Sequence, residues 1–333
     1  MSQKAFAKER YDGMPYRRCG RSGLKLPAVS LGFWLALGEP GNEQVCRECM
    51  YYAFDQGITH FDVADNYGPP RGSAELVVGR ILRDMPRDEL VISTKAGWDM
   101  WPGPYGDWGS KKHLIAGLDQ SLKRLGLDYV DIFYHHRPDP ETPVEETMGA
   151  LNQIVAQGKA LYVGVSQYRG ARFMEALQAV RQHDWAPVTI HQPSYSMLNR
   201  WIEADLLPLT ASAGTGVIVF SPLAGGILTD RYLGGLPADS RIGRRGERGR
   251  QRYEHLKADG TLDKVAKLNK LAEDRGQTLA EMALTWCLRD ERITGVLTGA
   301  SKVEQVAANV RAACAPPLSE EELTKIEAIL GGQ

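Results

Sequence analysis

Residues 60–68 read HFDVADNYG, a short strand-like run whose polar residues include Asp62 and Tyr67. Three later segments repeat this arrangement of an apolar run with a polar residue near its end: VISTK at 91–95, VDIFYHHRP at 130–138 and TIHQP at 189–193. The runs have the length and the β-branched and aromatic content of buried strands. A parallel sheet would bring the polar residues at their ends to one edge, where they could act together.

Strand-like runs alternate with amphipathic segments along the chain. The predicted strands are 28–33, 59–63, 90–94, 129–134, 160–165, 189–191, 216–220 and 295–297. Helical periodicity is found in the segments 42–54, 74–83, 111–125, 143–156, 171–182, 200–213, 261–275, 279–288 and 301–312. A repeat of roughly 30 residues indicates right-handed parallel units, and eight such units close a barrel. We therefore predict an α/β fold, a (β/α)8 TIM barrel forming a single domain over residues 1–333.

Two segments depart from a minimal barrel. Residues 16–26 contain the turn CGRSG between apolar ends, which predicts a β-hairpin that plugs the N-terminal mouth of the barrel. Residues 233–255 follow the seventh strand, are rich in Gly and Arg and show no periodicity, so we expect a long loop there. Long loops on the C-terminal face of a barrel usually serve ligands.

Composition narrows the class of partner. The chain has 333 residues, of which 43% are hydrophobic, and a formal net charge of −1, so no electrostatic case exists for nucleic acid or an anionic membrane. No run of about 18 apolar residues occurs, and no apolar signal core follows Met1. We therefore expect a cytoplasmic protein with a small-molecule partner. The odd total of five cysteines argues against a disulfide framework, and Cys46 and Cys49 are interpreted as helix-face residues.

Polar residues follow the predicted strands on the face where a barrel enzyme carries its working groups. In chain order they are Asp62 with Tyr67, Lys95, His136, Ser166 with Gln167, Gln192, Ser221, and the segment 299–301. The same placement across so many strands is hard to obtain from packing alone, so the constellation as a whole predicts a functional site.

An Asp, a Tyr, a Lys and a His that converge on one pocket form a proton donor suited to carbonyl reduction. A phenol with a pKa of about 10 is a slow acid at neutral pH, and the ammonium of Lys95 would lower the pKa of Tyr67. Asp62 would keep Lys95 charged and oriented. The ring of His136 would orient and polarise the carbonyl without being the acid itself.

A metal-dependent hydrolase is the alternative chemistry for the same face, with His60, Asp62, His135 and His136 as ligands. Adjacent strand residues point to opposite sides, so His135 and His136 cannot both reach such a site. We therefore prefer the proton donor, which requires no metal.

The quoted segments resemble the aldo-keto reductase family, and the likeness extends over about residues 16–309. The family patterns are Phe-Asp-x-Ala-x-x-Tyr-Gly, Thr-Lys and Asp-x-x-x-x-His-x-Pro. Counting the last pattern from Asp131 selects His136 over His135. The resemblance implies one catalytic set, Asp62, Tyr67, Lys95 and His136.

Three longer segments resemble the bacterial branch that includes L-glyceraldehyde 3-phosphate reductase and is also similar to the β subunits of voltage-gated potassium channels: 94–106, 191–200 and 221–229. The resemblance implies NADPH-dependent reduction of small aldehydes, with a triose phosphate such as L-glyceraldehyde 3-phosphate or methylglyoxal as substrate. It also implies a homo-oligomer, a tetramer or larger. A cofactor-binding regulatory module of the channel β-subunit type is the alternative, and the complete four-residue set favours catalysis over it.

The same resemblance implies that NADPH or NADP+ lies across the C-terminal face. Its contacts would be Ser166, Gln167, Gln192, Phe220, Ser221, Leu223, Gly225, Arg241, Gly299, Ser301, Lys302, Gln305 and Asn309. Ser166 and Gln192 would bond the nicotinamide carboxamide, and Phe220 would stack on its ring. Ala308 stands where relatives usually carry a Glu, which removes one expected hydrogen bond to the adenine.

A preference for NADPH is expected because Ser301 and Lys302 open a helix, Arg241 lies on the preceding loop, and residues 299–303 contain no acidic side chain for a free ribose hydroxyl. The expected contacts with the substrate are Trp34, Trp98, Trp101 and Arg71, with Arg71 as the candidate for a substrate phosphate.

Overall fold

The computed structural model describes residues 4–34 and 36–331. In this part of the chain eight parallel strands close a barrel, which confirms the predicted fold class. The strands are β3 (Val29–Gly32), β4 (His60–Asp62), β5 (Val91–Ala96), β6 (Val130–His135), β7 (Ala160–Ser166), β8 (Val188–Gln192), β9 (Gly216–Phe220) and β10 (Gly295–Thr298). The barrel closes where β10 pairs with β3, with Val296 opposite Val29.

The hairpin predicted at the N-terminus is present, as β1 (Tyr16–Arg18) paired antiparallel with β2 (Lys25–Pro27). Its turn inserts into the end of the barrel where the strands begin, and the thiol of Cys19 lies 3.6 Å from the carbonyl oxygen of Thr189. Leu26 is fully buried in the apolar cluster inside the barrel. A Cβ on Gly216, the first residue of β9, would lie 2.2 Å from the Cys19 sulfur, so the plug fits only against a glycine there.

Helices surround the barrel. They are α1 (Glu43–Asp55), α2 (Ser73–Leu82), α3 (Lys111–Leu125), α4 (Val144–Ala156), α5 (Gly170–Gln182), α6 (Ile202–Asp205), α7 (Leu207–Ala213), α8 (Glu247–Ala258), α9 (Thr261–Asp274), α10 (Leu279–Cys287), α11 (Val303–Cys314) and α12 (Glu320–Leu330). Side-chain caps define several starts: Ser110 accepts a bond from the His113 amide, and Thr278 forms a capping box with Glu281. Cys46 and Cys49 are buried on α1 with free thiols.

Two predictions about helices were wrong, and one helix was missed. The single helix expected over 200–213 is two helices, because Pro208 supplies no amide hydrogen and forces the break before α7. The loop expected over 233–255 contains most of α8, which buries only Gly249 and Leu256 and therefore shows no apolar periodicity. Helix α12 was not predicted, although Ser319 and Glu322 form a capping box at its start.

Membrane-spanning helices were sought over residues 4–34 and 36–331. None of the helices found there combines the length and the apolar composition that a bilayer crossing needs.

Candidate active site

Four side chains meet where β4, β5 and β6 end. Asp62 is the last residue of β4, Lys95 lies near the end of β5, and His136 directly follows β6. Tyr67 lies on the loop after β4, which is tied to β5 by a hydrogen bond from the Asp65 amide to the Lys95 carbonyl oxygen, at 3.0 Å. The structure therefore brings together the four residues that the sequence predicts as a catalytic set.

The loop that carries Tyr67 turns sharply at the next residue. Gly68 has a φ of 137°, and a Cβ there would lie 2.1 Å from the carbonyl oxygen of Pro70. Only glycine is compatible with that backbone, so the turn fixes where the phenol points.

Lys95 is fully buried, and its ammonium uses all three of its hydrogen atoms. It donates to Asp62 Oδ2 at 2.5 Å, to the carbonyl oxygen of Val63 at 2.8 Å and to the hydroxyl oxygen of Tyr67 at 3.3 Å. Burial lowers the pKa of Lys95, but the attraction of Asp62 and Tyr67 outweighs burial and the net shift is upward. The amine therefore stays charged beside the phenol.

Asp62 is held by further donors inside the barrel. Its Oδ1 accepts a bond from the hydroxyl of Ser93 at 2.6 Å and one from the side-chain amide of Gln192 at 3.2 Å. Ser93 gives its hydrogen to Asp62, so the Nε2–H of His60 must donate to the Ser93 oxygen, at 2.9 Å. The other ring nitrogen of His60 lies 2.9 Å from the hydroxyl of Ser30.

The geometry of His60 leaves no nitrogen for a metal, because hydroxyl groups bond both ring nitrogens. Burial lowers the pKa of His60 to about 4, so the ring is neutral. Within residues 4–34 and 36–331, no group of three or more His, Cys, Asp or Glu side chains is arranged to hold a metal ion.

The pKa of Tyr67 departs from the prediction. Burial raises this pKa above its usual value of 10.0, Lys95 lowers it and Asp62 raises it again, and the net direction is upward. Lys95 lowers the pKa as expected, but the desolvation of the phenol and the charge of Asp62, which the sequence-based expectation left out, outweigh it. Tyr67 is therefore fully protonated at neutral pH, and its oxygen accepts from Lys95 while its own hydrogen is free to be donated.

His136 faces Tyr67, and its ring centroid lies 5.8 Å from that of the phenol. Burial lowers the pKa of His136 well below 6.5, and Lys95 and the neighbouring charges lower it further, so the imidazole is neutral. Among the described residues, its Nδ1 is buried without a hydrogen-bond partner. We therefore place the ring hydrogen on Nε2, where it can be donated to a ligand oxygen.

His135 lies on the opposite side of the strand, as strand alternation predicts. Its Nδ1 is 2.7 Å from the hydroxyl of Tyr168, and burial lowers its pKa to about 3. A Cβ on Gly109 would lie 2.7 Å from the ring of His135. This histidine packs beneath the loop before α3 rather than in the pocket.

Residues predicted to hold the nicotinamide lie at the ends of β7, β8 and β9. The hydroxyl of Ser166 donates to the carbonyl oxygen of Gln192 at 2.8 Å, and the amide of Gln167 donates to the same oxygen at 3.2 Å. Gln167 adopts a left-handed φ of 63°, and Ser221 one of 55°. Phe220, the last residue of β9, is partly buried and packs against the cluster inside the barrel.

Three consecutive residues in the loop after β9 have positive φ angles. The φ values are 50° at Ala224, 72° at Gly225 and 96° at Gly226, directly after Leu223. A Cβ on Gly226 would meet no atom within 4 Å, and one on Gly225 would approach only the guanidinium of Arg241, at 3.8 Å. The backbone is thus open to close approach, which a pyrophosphate requires.

Arg241 reaches back across the barrel mouth, with its guanidinium carbon 4.5 Å from the centre of the Trp34 ring. Around α11, the side-chain oxygen of Gln305 accepts bonds from the amide of Ser301 at 2.7 Å and from its hydroxyl at 3.1 Å. Lys302 is the N-cap residue of α11, and Gly299 is exposed before it. Asn309 is buried and donates to the hydroxyl of Thr298 at 3.0 Å, so its amide already has a protein partner.

The residues predicted to contact the substrate lie in different surroundings. Trp98 lies edge-on to His136 with ring centroids 6.2 Å apart, and it is 38% exposed. Trp101 packs on His113 of α3, with centroids 4.9 Å apart. Arg71 forms an exposed ion pair with Asp99, so a substrate phosphate would have to compete with a carboxylate for it.

Sequence reasoning missed two groups around the site. Ser93 lies two residues before Lys95 on β5, and the strand period of two could have placed it on the same interior face. Arg137 lies between the rings of Trp98 and Trp108, at 3.8 and 3.6 Å from their centroids. Nothing in the sequence shows that stacking, because it depends on the path of the loop between β5 and α3.

A closed (β/α)8 barrel with a polar cluster at the carboxyl ends of its strands is the architecture of a barrel enzyme. Residues 28–330 match the aldo/keto reductase family, and the chain belongs to that family of oxidoreductases, whose members generally use NAD(P)H.

Two groups of relatives cover nearly the whole chain. The L-glyceraldehyde 3-phosphate reductase of Escherichia coli O157:H7 is 52% identical over 324 residues, which is 96% of this chain and 93% of the relative. A probable voltage-gated potassium channel subunit beta of Oryza sativa subsp. japonica is 37% identical over 95% of this chain and 97% of its own length. A putative subunit beta of Schizosaccharomyces pombe is 38% identical over 95% and 93%.

Proposed function

We propose that this aldo/keto reductase uses NADPH to reduce small aldehydes to alcohols, with Tyr67 as the general acid. One observation carries the proposal: a single buried ammonium, that of Lys95, contacts both Asp62 and the hydroxyl of Tyr67, with the neutral ring of His136 facing the same phenol. This arrangement offers two hydrogen donors to one carbonyl oxygen, the phenol O–H and the imidazole N–H.

Each residue has a distinct task in the proposed reaction. His136 donates through Nε2 to the aldehyde oxygen and orients it, and Tyr67 gives its proton to that oxygen as negative charge develops there. Lys95, held charged by Asp62, stabilises the phenolate that remains. Ser93 and Gln192 fix Asp62, so the ammonium keeps one position throughout.

A bound nicotinamide dinucleotide would supply the hydride. The residues of this chain fit such a group: Ser166 and Gln192 at its nicotinamide end, Phe220 beside the ring, the open left-handed backbone at Gly225 for its pyrophosphate, and α11 at its adenosine end. Arg241 and Trp34, which contact each other across the barrel mouth, would cover it.

The proposed preference for NADPH rests on two cations, Lys302 at the start of α11 and Arg241 on the loop after β9. Lys302 is the N-cap residue of that helix, and Arg241 has no carboxylate partner among the ion pairs of residues 4–34 and 36–331. Each charge-assisted hydrogen bond to a phosphate contributes roughly 1.5–3 kcal/mol, so two could give a preference of about a hundredfold or more.

Dissociation constants for NADPH and NADH, measured by quenching of tryptophan fluorescence, test this preference. Lys302→Ala and Arg241→Ala should weaken NADPH far more than NADH. Equal affinities in the parent, or variants that lose both cofactors alike, would show that these residues do not recognise the extra phosphate. Because Arg241 contacts Trp34, the activity of each variant with saturating cofactor serves as a second readout.

For the substrate we propose a triose phosphate, L-glyceraldehyde 3-phosphate, with methylglyoxal as a second small aldehyde. The support is the identity of 52% over 96% of this chain with the L-glyceraldehyde 3-phosphate reductase of Escherichia coli O157:H7. We also propose that the protein works in the cytoplasm as a homo-oligomer. Five free thiols, of which only Cys314 is exposed, are compatible with a reducing compartment.

Turnover of a panel of aldehydes tests the proposed function. L-glyceraldehyde 3-phosphate, L-glyceraldehyde, methylglyoxal and propanal would each be supplied with saturating NADPH, and loss of absorbance at 340 nm would be followed. We expect turnover of all four, with the phosphorylated aldehyde best. No turnover on any aldehyde, with tight NADPH binding intact, would favour a cofactor-binding regulatory role of the channel β-subunit type.

A further inference from the structure

Arg137 follows His136 in the chain and lies in a stack of three side chains. Its guanidinium is 3.8 Å from the centre of the Trp98 ring on one side and 3.6 Å from that of Trp108 on the other. We call these three residues the Trp98–Arg137–Trp108 stack. A planar guanidinium can stack on two rings at once, which a lysine ammonium cannot reproduce.

Nitrogen atoms of the guanidinium also donate hydrogen bonds. Nε donates to the carbonyl oxygen of Gly97 at 2.8 Å, and one terminal nitrogen donates to Asp107 Oδ1 at 2.6 Å. Both acceptors belong to the loop between β5 and α3. Arg137 therefore holds the beginning and the end of this loop together.

The loop itself carries signs of constraint. Trp108 has a φ of 70°, a conformation that a bulky side chain adopts only when its surroundings enforce it. Its amide donates to Asp107 Oδ1 at 2.7 Å, so one carboxylate oxygen ties both the strained backbone and Arg137. Gly97 has a φ of 142°, and a Cβ there would lie 3.3 Å from the backbone nitrogen of His136. The strain at Trp108 is thus offset by contacts that converge on Arg137.

The stack continues into the candidate active site. Trp98 lies edge-on to His136, with an interplanar angle of 86° and centroids 6.2 Å apart, and His136 in turn lies 5.8 Å from Tyr67. Trp98 is 38% exposed, so part of its indole remains available to a ligand. Arg137 therefore packs on the indole of Trp98, and the same indole adjoins the His136 ring that would bond the aldehyde.

We propose that Arg137 is a positioning residue that fixes Trp98 as a wall of the aldehyde pocket and so selects small aldehydes. The proposal rests on the proposed function for the reaction itself. Arg137 acts through Trp98 and does not bind the substrate, because its two faces are covered by indoles and two of its nitrogens bond Gly97 and Asp107. Without Arg137 the indole would lose its fixed position, and the pocket would hold small aldehydes less well.

Steady-state kinetics of Arg137→Met and Arg137→Lys, with NADPH saturating, test the proposal. For propanal we expect KM to rise about tenfold in both variants, while kcat changes by less than about threefold. For a bulky aldehyde such as phenylacetaldehyde, KM should stay the same or fall. In a Trp98→Ala background, Arg137→Met should add less than about twofold, because the residue through which it acts is gone.

Arg47→Met is the matched control, because Arg47 also pairs with a carboxylate, Asp84 at 2.6 Å, and lies over an aromatic ring, that of Tyr51, but does so on α1. Its kinetics should equal those of the parent. Independent effects of Arg137→Met and Trp98→Ala would overturn the proposal. So would a loss confined to phosphorylated aldehydes, which would mean that Arg137 binds the phosphate directly.

A measurement that does not depend on turnover tests the positioning role of Arg137 separately from the proposed function. Hydrogen exchange of the segment 97–109, followed by mass spectrometry in the NADPH complex, should accelerate at least about tenfold in Arg137→Met and not in Arg47→Met. If the parent protein reduces no aldehyde but the segment still exchanges faster in Arg137→Met, the proposed function is refuted and the positioning role of Arg137 is supported. Unchanged exchange in Arg137→Met would refute the positioning role of Arg137 even if the enzyme were active.

Discussion

The ion pair of Lys95 and Asp62 gives a prediction that separates its structural role from its chemical one. Three variants are compared with the parent: Lys95→Met, Asp62→Asn and the double variant. Both side chains are fully buried and 2.5 Å apart, so removing either partner leaves the other charge without its counterion. Removing one member of a buried pair typically costs about 3–5 kcal/mol.

The remaining contacts place each single variant at the lower end of that range. In Lys95→Met the Asp62 carboxylate keeps bonds from Ser93 and Gln192, and in Asp62→Asn the ammonium keeps Val63 and Tyr67. Each should therefore lower the free energy of unfolding by about 3 kcal/mol. The double variant has no buried charge at this site and should lose about 3 kcal/mol in all rather than about 6, a coupling of about 3 kcal/mol.

Activity should behave differently from stability. All three variants should lose at least about a hundredfold in aldehyde reduction. Lys95→Met and the double variant have no ammonium beside Tyr67, and Asp62→Asn lacks the carboxylate that keeps the ammonium charged and oriented. Urea unfolding followed by circular dichroism and NADPH oxidation would be measured on the same samples. Lys159→Met is the control, since Lys159 pairs with Asp119 at 2.6 Å in a partly exposed position, and it should cost less than about 1 kcal/mol with full activity. Additive stability losses, or a double variant that regains activity, would refute the reasoning.

Three further predictions concern titrating groups. His136→Ala should lower turnover at least about a hundredfold, whereas His135→Ala should reduce stability with turnover nearly unchanged; the reverse pattern in steady-state rates would show that the strand register is wrong. Reduction should be independent of pH between about 6 and 9, because the pKa of His136 lies well below 6.5 and that of Tyr67 above 10.0, and a bell-shaped kcat profile in this window would contradict both directions. Asp65 is fully buried, and this burial together with the nearby charge of Glu75 raises its pKa well above 3.8. The folded protein therefore keeps a proton on Asp65 that the unfolded chain releases, so stability falls as pH rises. Asp65→Asn should raise the melting temperature by roughly 2 °C or more at pH 8 and hardly at all at pH 4.

The arrangement of the barrel was predictable because its signals are local. Each strand is a short apolar run and most of the surrounding helices have a 3.6-residue period, so all eight strands lie where the sequence places them, with ends shifted by no more than two residues. Helix α8 escaped prediction because a solvent-facing helix rich in Arg and Glu has no apolar stripe. The break before α7 follows from Pro208, which has no amide hydrogen to continue the preceding helix.

The meeting of Asp62, Tyr67, Lys95 and His136 was also predictable, because parallel strands present their carboxyl ends on one face. The direction of the Tyr67 pKa was not, since it depends on how much solvent the folded protein removes from the phenol. The Trp98–Arg137–Trp108 stack lay beyond sequence reasoning for a similar reason. It joins β6 to a loop whose path is set by left-handed residues at Gly97 and Trp108.

The claim that Tyr67 is the general acid is tested most directly by Tyr67→Phe. Phenylalanine keeps the packing of the ring, which is 9% exposed, but it has no proton to give. The rate of aldehyde reduction at saturating NADPH should fall about 10²–10⁴-fold. The dissociation constant of NADPH, measured by fluorescence titration, should stay within about twofold of the parent. A variant that reduces aldehydes within about threefold of the parental rate would contradict the assignment of Tyr67 as the acid.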